Sequence, residues 1–266
     1  MSARSAAPLV LITGASSGIG QALAAHYAAA GWRLALVARR ADSVRDWARV
    51  QGLDPARWAV FAADVGDPDA MVAAGRACLD TLGLPQAVIA NAGISVGMDS
   101  VEREDLDVMR ETLATNVLGV AATFHPFLAA MRERGSGTLV GIASVAAIRG
   151  LPGHGAYCAS KSAVVAYCES LRGECRPYGV RVVTLLPGYI ATPLTARNPY
   201  PMPFLLQPSE FAARAKRAID AGTSYRVIPW PMGVAAKLLR LLPNPVFDRV
   251  FAGRGRKPRR SRAGAR

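Results

Sequence analysis

The segment Gly155-Ala-Tyr-Cys-Ala-Ser-Lys161 sets a phenol four residues before an ammonium, among small side chains. On a helix, positions i and i+4 share a face, so Tyr157 and Lys161 can reach each other and a common ligand. Unperturbed, they titrate near about 10 and about 10.4, too high for proton exchange at neutral pH. A neighbouring cation favours phenolate, so Lys161 is expected to draw Tyr157 downward and fit it for general acid and base work. Ser144 closes the apolar run TLVGIAS, which predicts a hydroxyl at the carboxyl edge of a sheet. There it can bond a substrate oxygen and stabilise developing negative charge. Asn116, in LATNVLG, falls in a helical stretch that disfavours Asn unless its amide bonds elsewhere. His154, between two glycines, reads as a flexible loop residue outside the catalytic set.

A second constellation suits a phosphate. TGASSGIG follows an apolar run and opens an Ala-rich helical pattern. Gly14, Gly18 and Gly20 allow a tight turn and close backbone approach, and Ser16, Ser17 and Ile19 complete it. The helix start offers unpaired N–H groups and a positive dipole end to a pyrophosphate. About 20 residues further on, an acid on the ribose hydroxyls marks NAD, whereas an arginine accommodates the extra phosphate of NADP. The run LVARR has Ala38 in the acid's place and Arg39 and Arg40 after it. A guanidinium grips a phosphate bidentately, so NADP(H) is the expected cofactor.

TGASSGIG, NAG at residues 91–93, Asn116, Ser144, Tyr157, Lys161 and the Pro-Gly at Pro187 together resemble the short-chain dehydrogenase/reductase family over about residues 8–195. The resemblance implies hydride transfer between a nicotinamide cofactor and an alcohol or carbonyl, with Ser144, Tyr157, Lys161 and Asn116 catalytic. It further implies that Asn116 holds a water leading from Lys161 to solvent. By the same resemblance Asp64 and Val65 flank the adenine, Asn91, Ala92 and Gly93 line the ribose path, and Gly188, Ile190 and Thr192 orient the nicotinamide. A cationic nicotinamide adds to Lys161 in favouring phenolate; lowering a phenol by three units takes about 4 kcal/mol. The Tyr-to-Lys spacing argues against an enoyl reductase or epimerase. The rival class is an NADP-binding regulatory or scaffold protein without turnover, which has no need of all four catalytic residues.

These residues need a frame. Short apolar runs (LVLITG, RLALVAR, WAVFAADV, AVIANAG, TLVGIAS, RVVTLLPG) alternate with helical patterns. That alternation predicts an α/β fold, a single doubly wound Rossmann domain with a parallel sheet, over residues 1–253. The Pro-rich stretch from Thr192 to Gln207, with a helix from about Ser209 to before Gly222, reads as a substrate lid over 192–222. Its Leu194, Tyr200, Met202, Phe204, Leu205 and Leu206 suggest an apolar substrate. The helix from Tyr157 to about Arg176 is apolar on more than one face, which predicts a homodimer or homotetramer.

Half of the 266 residues are apolar, enough for a substantial core. Cys78, Cys158, Cys168 and Cys175 form no CxxC pair and the three histidines stand apart, so no metal site is expected. Reduced thiols, no secretory leader and no uninterrupted apolar run of membrane-spanning length suggest a cytoplasmic enzyme. Residues 254–266 carry seven basic side chains and no acid, over half of the net +13. They are expected to be a disordered tail, with nucleic acid an unlikely partner and an anionic membrane surface a possible one through the adjoining amphipathic segment 233–242.

Overall fold

The computed structural model describes residues 7–253 and 255–260. Seven strands form its sheet: β1 (Leu9–Thr13), β2 (Arg33–Ala38), β3 (Trp58–Ala62), β4 (Ala87–Ala90), β5 (Gly137–Ile142), β6 (Val180–Pro187) and β7 (Tyr225–Ile228). The first six are the six apolar runs; β7 is additional, a short strand with two exposed residues that lacks their signal. Every pairing is parallel, and the order is β3-β2-β1-β4-β5-β6-β7. The chain builds outward from β1 in one direction, then restarts at β4 in the other. A crevice opens at the carboxyl ends of β1 and β4, where ligands bind in such sheets.

Helices cover both faces: α1 (Gly18–Ala29), α2 (Ala41–Val50), α3 (Pro68–Leu82), α4 (Asp105–Leu113), α5 (Gly119–Arg134), α6 (Gly155–Cys175) and α7 (Pro208–Asp220), followed by α8 (Trp230–Leu241) and α9 (Asn244–Phe251). Strand residues alternate between two cores. Leu9 and Leu11 pack with Phe124, Phe127 and Val164 of α5 and α6. Val10 and Ile12 pack with Leu23, Tyr27 and Phe211 of α1 and α7. Each fully buried large apolar side chain contributes on the order of 2 kcal/mol. Helix boundaries follow local chemistry: Asp67 caps α3 by accepting from the N–H groups of Asp69 and Ala70, and α5 ends at Gly135 with φ 70°, a left-handed value that favours glycine.

The continuous helical run Asp105–Arg134 is 30 residues long and, among the described residues, the one helix long and apolar enough to cross a membrane by length and composition. Its Val120, Phe124, Phe127 and Met131 are buried in the protein core. The basic C-terminus is also not wholly free. Residues 255–260 lie along the body: Arg259 binds Asp105, Arg260 binds Glu111 and Arg256 faces Asp99. Arginines spaced to meet acids on α4 and the loop before it find them only after folding. Residues 254 and 261–266 of the expected tail lie outside the described residues.

Candidate active site

The turn after β1 reverses the chain at Gly14 and enters α1 at Gly18, with φ 69° and 56°, conformations that exclude most side chains. A Cβ on Gly14 would lie 2.8 Å from Ala92 Cα, so glycine lets the turn seat on the end of β4. Gly20 has a different part: a Cβ there would collide with the Gly14 carbonyl oxygen, so this glycine packs the helix against its own turn rather than facing the crevice. Ser17 stands at the N-cap of α1 with no side-chain cap bond, and the first turn holds no acid. The N–H groups there face a cavity of about 430 Å³ lined at this end by Gly14, Ser16, Ser17, Gly18 and Ile19.

Along the cavity, Arg39, Arg40, Asp64 and Val65 form one wall and Asn91, Ala92 and Gly93 the floor. Asp64 Oδ1 accepts from Gly66 N–H at 2.9 Å, while Oδ2 faces Arg39 Nη1 at 3.6 Å. The Asn91 amide donates to the Thr13 carbonyl at 2.9 Å, and the Thr13 hydroxyl accepts from the N–H groups of Asn91 and Ala92. That side chain therefore ties β1 to β4 at the switch point. Pro187, Gly188, Ile190 and Thr192 close the far wall. The Thr195 hydroxyl accepts from Thr192 N–H at 3.1 Å and donates to the Ile190 carbonyl at 2.5 Å, which fixes this loop. Thr192 Cγ2 stands 3.0 Å from the Cβ position of Gly18, so the loop meets the phosphate turn.

Ser144, Tyr157 and Lys161 share the same cavity. Ser144 lies two residues past β5, its hydroxyl accepting from Ala146 N–H at 3.1 Å. Burial raises the Tyr157 phenol above its ordinary value, and a hydrogen bond with Ser144 pulls it partly back. Lys161 is 4% exposed. Its Nζ donates to the Ile142 carbonyl at 2.9 Å and lies 5.8 Å from the Tyr157 ring centre. Burial draws the ammonium down to about 8. The phenol is thus raised where a downward pull from Lys161 was expected: desolvation is the largest cause for both groups, and the lowering contribution at Tyr157 comes from Ser144.

Asn116 is fully buried and does not line the cavity. It sits in a π-helical turn, Ala114–Leu118, between α4 and α5, where a regular helix was expected. Such turns place a side chain off the regular helical face. Its Oδ1 accepts from Ile94 N–H at 2.8 Å, and its Nδ2 donates to the Ile94 carbonyl and to Ser160 Oγ, both at 2.9 Å. The amide clamps the loop after β4 to α6, next to Lys161: a Cβ on Gly93 would touch Asn116 Oδ1 at 3.2 Å and Lys161 Nζ at 3.3 Å.

Sequence reasoning missed the other side of Tyr157. His154 is not a flexible loop residue but is 8% exposed. Its Nδ1 bonds the Pro152 carbonyl and its Nε2 the Tyr200 hydroxyl, each at 3.1 Å. Tyr189 and Tyr200 rings lie 6.3 Å apart, and the charges of Tyr189 and Tyr157 act on the Tyr200 phenol, which burial pushes up to about 12. The histidine three residues ahead of Tyr157 was the available signal. Of the six apolar or aromatic lid residues, only Leu194 lines the cavity. Leu206 is spent in the core, Phe204 and Leu205 face solvent, and Tyr200 turns its hydroxyl to His154, within electrostatic reach of Tyr157.

A parallel sheet with a glycine-rich turn at its switch point, and a partly buried tyrosine beside a buried lysine at the start of α6, defines a Rossmann-type α/β oxidoreductase. The chain belongs to the short chain dehydrogenase family, which it matches over residues 8–200. An uncharacterized oxidoreductase of Myxococcus xanthus is 38% identical over 90% of this chain and 94% of its own length. The sulfoacetaldehyde reductase of Chromohalobacter salexigens is 35% identical over 70% and 74%. Among solved structures, L-sorbose reductase from Gluconobacter frateurii complexed with NADPH and L-sorbose has TM-score 0.75 and 25% identity, covering 84% of this chain and 95% of that one. Members of this family use nicotinamide cofactors, and the uncapped α1 start and glycine cradle fit a dinucleotide.

Proposed function

We propose that this protein interconverts a carbonyl and an alcohol by NADP(H)-dependent hydride transfer, with Tyr157 as general acid and base. One observation carries the reading: Ser144, Tyr157 and Lys161 open into the same cavity as the α1 start and the two arginines after β2. Ala38 puts no carboxylate at the end of β2 to repel a 2′-phosphate, the nearby Asp64 carboxylate is turned to Arg39 at 3.6 Å, and Arg39 and Arg40 are there to hold a phosphate. Bound in this cavity, NADPH supplies the hydride and, once oxidised, a cationic ring beside the phenol. Tyr157 donates its proton to the carbonyl oxygen in reduction and takes it back in oxidation. Ser144 steadies the phenol and bonds the same oxygen. Lys161, drawn down to about 8, can return a proton to Tyr157 near neutral pH.

The proposed substrate is a small polar carbonyl compound instead of the apolar one suggested by the lid. The groups on the far side of Tyr157 are an imidazole and two phenols, those of His154, Tyr189 and Tyr200. The sulfoacetaldehyde and L-sorbose reductases among its relatives act, by their names, on polar carbonyl compounds. Cytoplasmic location and homo-oligomeric assembly belong to the same proposal. Four buried free thiols support the first. The second gains nothing from α6, whose Val164, Cys168, Leu171 and Cys175 all enter one core. Exposed Trp230, Leu238 and Leu241 on α8 support a contact with a second copy.

Tyr157→Phe is the deciding experiment. It should lower kcat by about 10²- to 10⁴-fold while NADPH still binds, measured by fluorescence titration and stopped assay. An intact turnover rate would refute Tyr157 as the proton donor. No turnover of any carbonyl by the parent protein, with NADPH bound, would favour the regulatory reading.

A further inference from the structure

The C-terminal segment 255–260 crosses the three loops around the first turn of α6, where Tyr157 sits. Gly97, in the loop after β4, donates its N–H to the Pro258 carbonyl at 3.1 Å and pairs with Arg259 in a parallel bridge. A Cβ on Gly153, just before His154, would lie 3.0 Å from Arg256 Cβ. Gly255 packs on Pro199, beside Tyr200. The latch is ionic: Arg259 Nε meets Asp105 at 2.7 Å, and that carboxylate is 4% exposed and also accepts from Asp99 N–H.

Four cations lie in this strap, and three are answered by carboxylates. Arg256 faces Asp99 at 3.5 Å, Arg259 takes Asp105 and Glu102, and Arg260 takes Glu111 at 2.6 Å. Lys257 has no carboxylate partner among the described residues. Its Nζ donates instead to the carbonyl of Leu194, a residue of the cavity wall, at 3.0 Å. Burial draws this ammonium down to about 8; the His154 imidazole is held down mainly by its own burial, with the Lys257 charge a smaller contribution in the same direction. A half-dehydrated cation with only a carbonyl for company is costly unless a ligand brings the opposite charge. We propose that Lys257 is a specificity-determining residue, carried over the substrate side of the site by the strap, that selects carbonyl substrates bearing an anionic group remote from the carbonyl. This rests on the carbonyl-reductase reading above and deepens it.

The full-length protein with NADPH should be assayed on 4-oxobutanoate and on butanal, its uncharged counterpart. The kcat/KM ratio should favour the anion, and Lys257→Met should lower that ratio about ten-fold or more, chiefly through KM, as loss of a charged hydrogen bond does. Lys257→Arg should retain most of it, and Asp105→Asn, which loosens the latch, should lower it in part. A parent preference for butanal, or a ratio within about two-fold in Lys257→Met, would overturn the proposal. Calorimetry with succinate on the NADPH-loaded protein separates the two readings. Binding that weakens in Lys257→Met, with no turnover of these aldehydes or of any other carbonyl in a panel, refutes the reductase and keeps the anion seat. Turnover of both aldehydes with no effect of Lys257→Met on either readout does the reverse.

Discussion

Lys161 holds its ammonium in the interior against the Ile142 carbonyl, so its charge opposes folding until it is lost. The folded value is about 8 against an ordinary 10.5. A depressed folded value means the stabilising contribution is fully present above 10.5 and lost as pH falls through about 8. Between pH 7 and 9.5 the protein should therefore gain about 2 kcal/mol relative to Lys161→Met, read from urea midpoints of both proteins at each pH. A constant difference would show that the buried amine titrates normally. Arg39 offers a second check at this scale. Its 3.6 Å pair with Asp64 is solvent-exposed and worth little to stability, so its substitution should act on the cofactor. Ala38→Asp with Arg39→Leu should move the kcat/KM ratio of NADPH to NADH by about 100-fold or more, since a bidentate charged contact is replaced by a repulsive one. An unchanged ratio would remove these residues from cofactor choice.

Among the elements, the π turn between α4 and α5 sets the site most directly. It turns Asn116 inward, where one amide bonds both backbone groups of Ile94 and the hydroxyl of Ser160. Asn116→Ala leaves those groups unpaired in the interior and should cost about 3 kcal/mol of stability. Urea unfolding measures it, and a loss under about 0.5 kcal/mol would mean that the loop after β4 holds itself. The same substitution should lower turnover, because that loop carries Gly93 against Lys161. The local sequence LATNVLG marked Asn116 as unusual in a helix. It could not show which groups the amide meets, because Ile94 and Ser160 are distant in sequence and approach only when α4 and the π turn pack on α6.

At the level of the whole molecule, light scattering at micromolar concentration should report a mass of two chains or more, and a single-chain mass would refute the assembly proposed above. The apolar runs, their Gly boundaries and the alternation with helices made six of seven strands legible, because strands buried on both faces must be continuously apolar. The glycine turn and the spacing of Tyr157 and Lys161 were legible for the same local reason: one turn and one helix face fix them. What lay beyond local rules was decided by packing. Desolvation, which no spacing encodes, raised the Tyr157 phenol and drew Lys161 down. Folding also joined His154 to Tyr200 across 46 residues and Arg259 to Asp105 across 154, laying residues 255–260 of an expected loose tail along the body. By itself the sequence determined the sheet, the phosphate turn and the residues available for proton transfer, since each rests on short-range periodicity or backbone sterics. Which of those residues are dry, which charges are answered and what closes over the site were decided by the tertiary structure alone, because burial and ion pairing depend on partners distant in the chain.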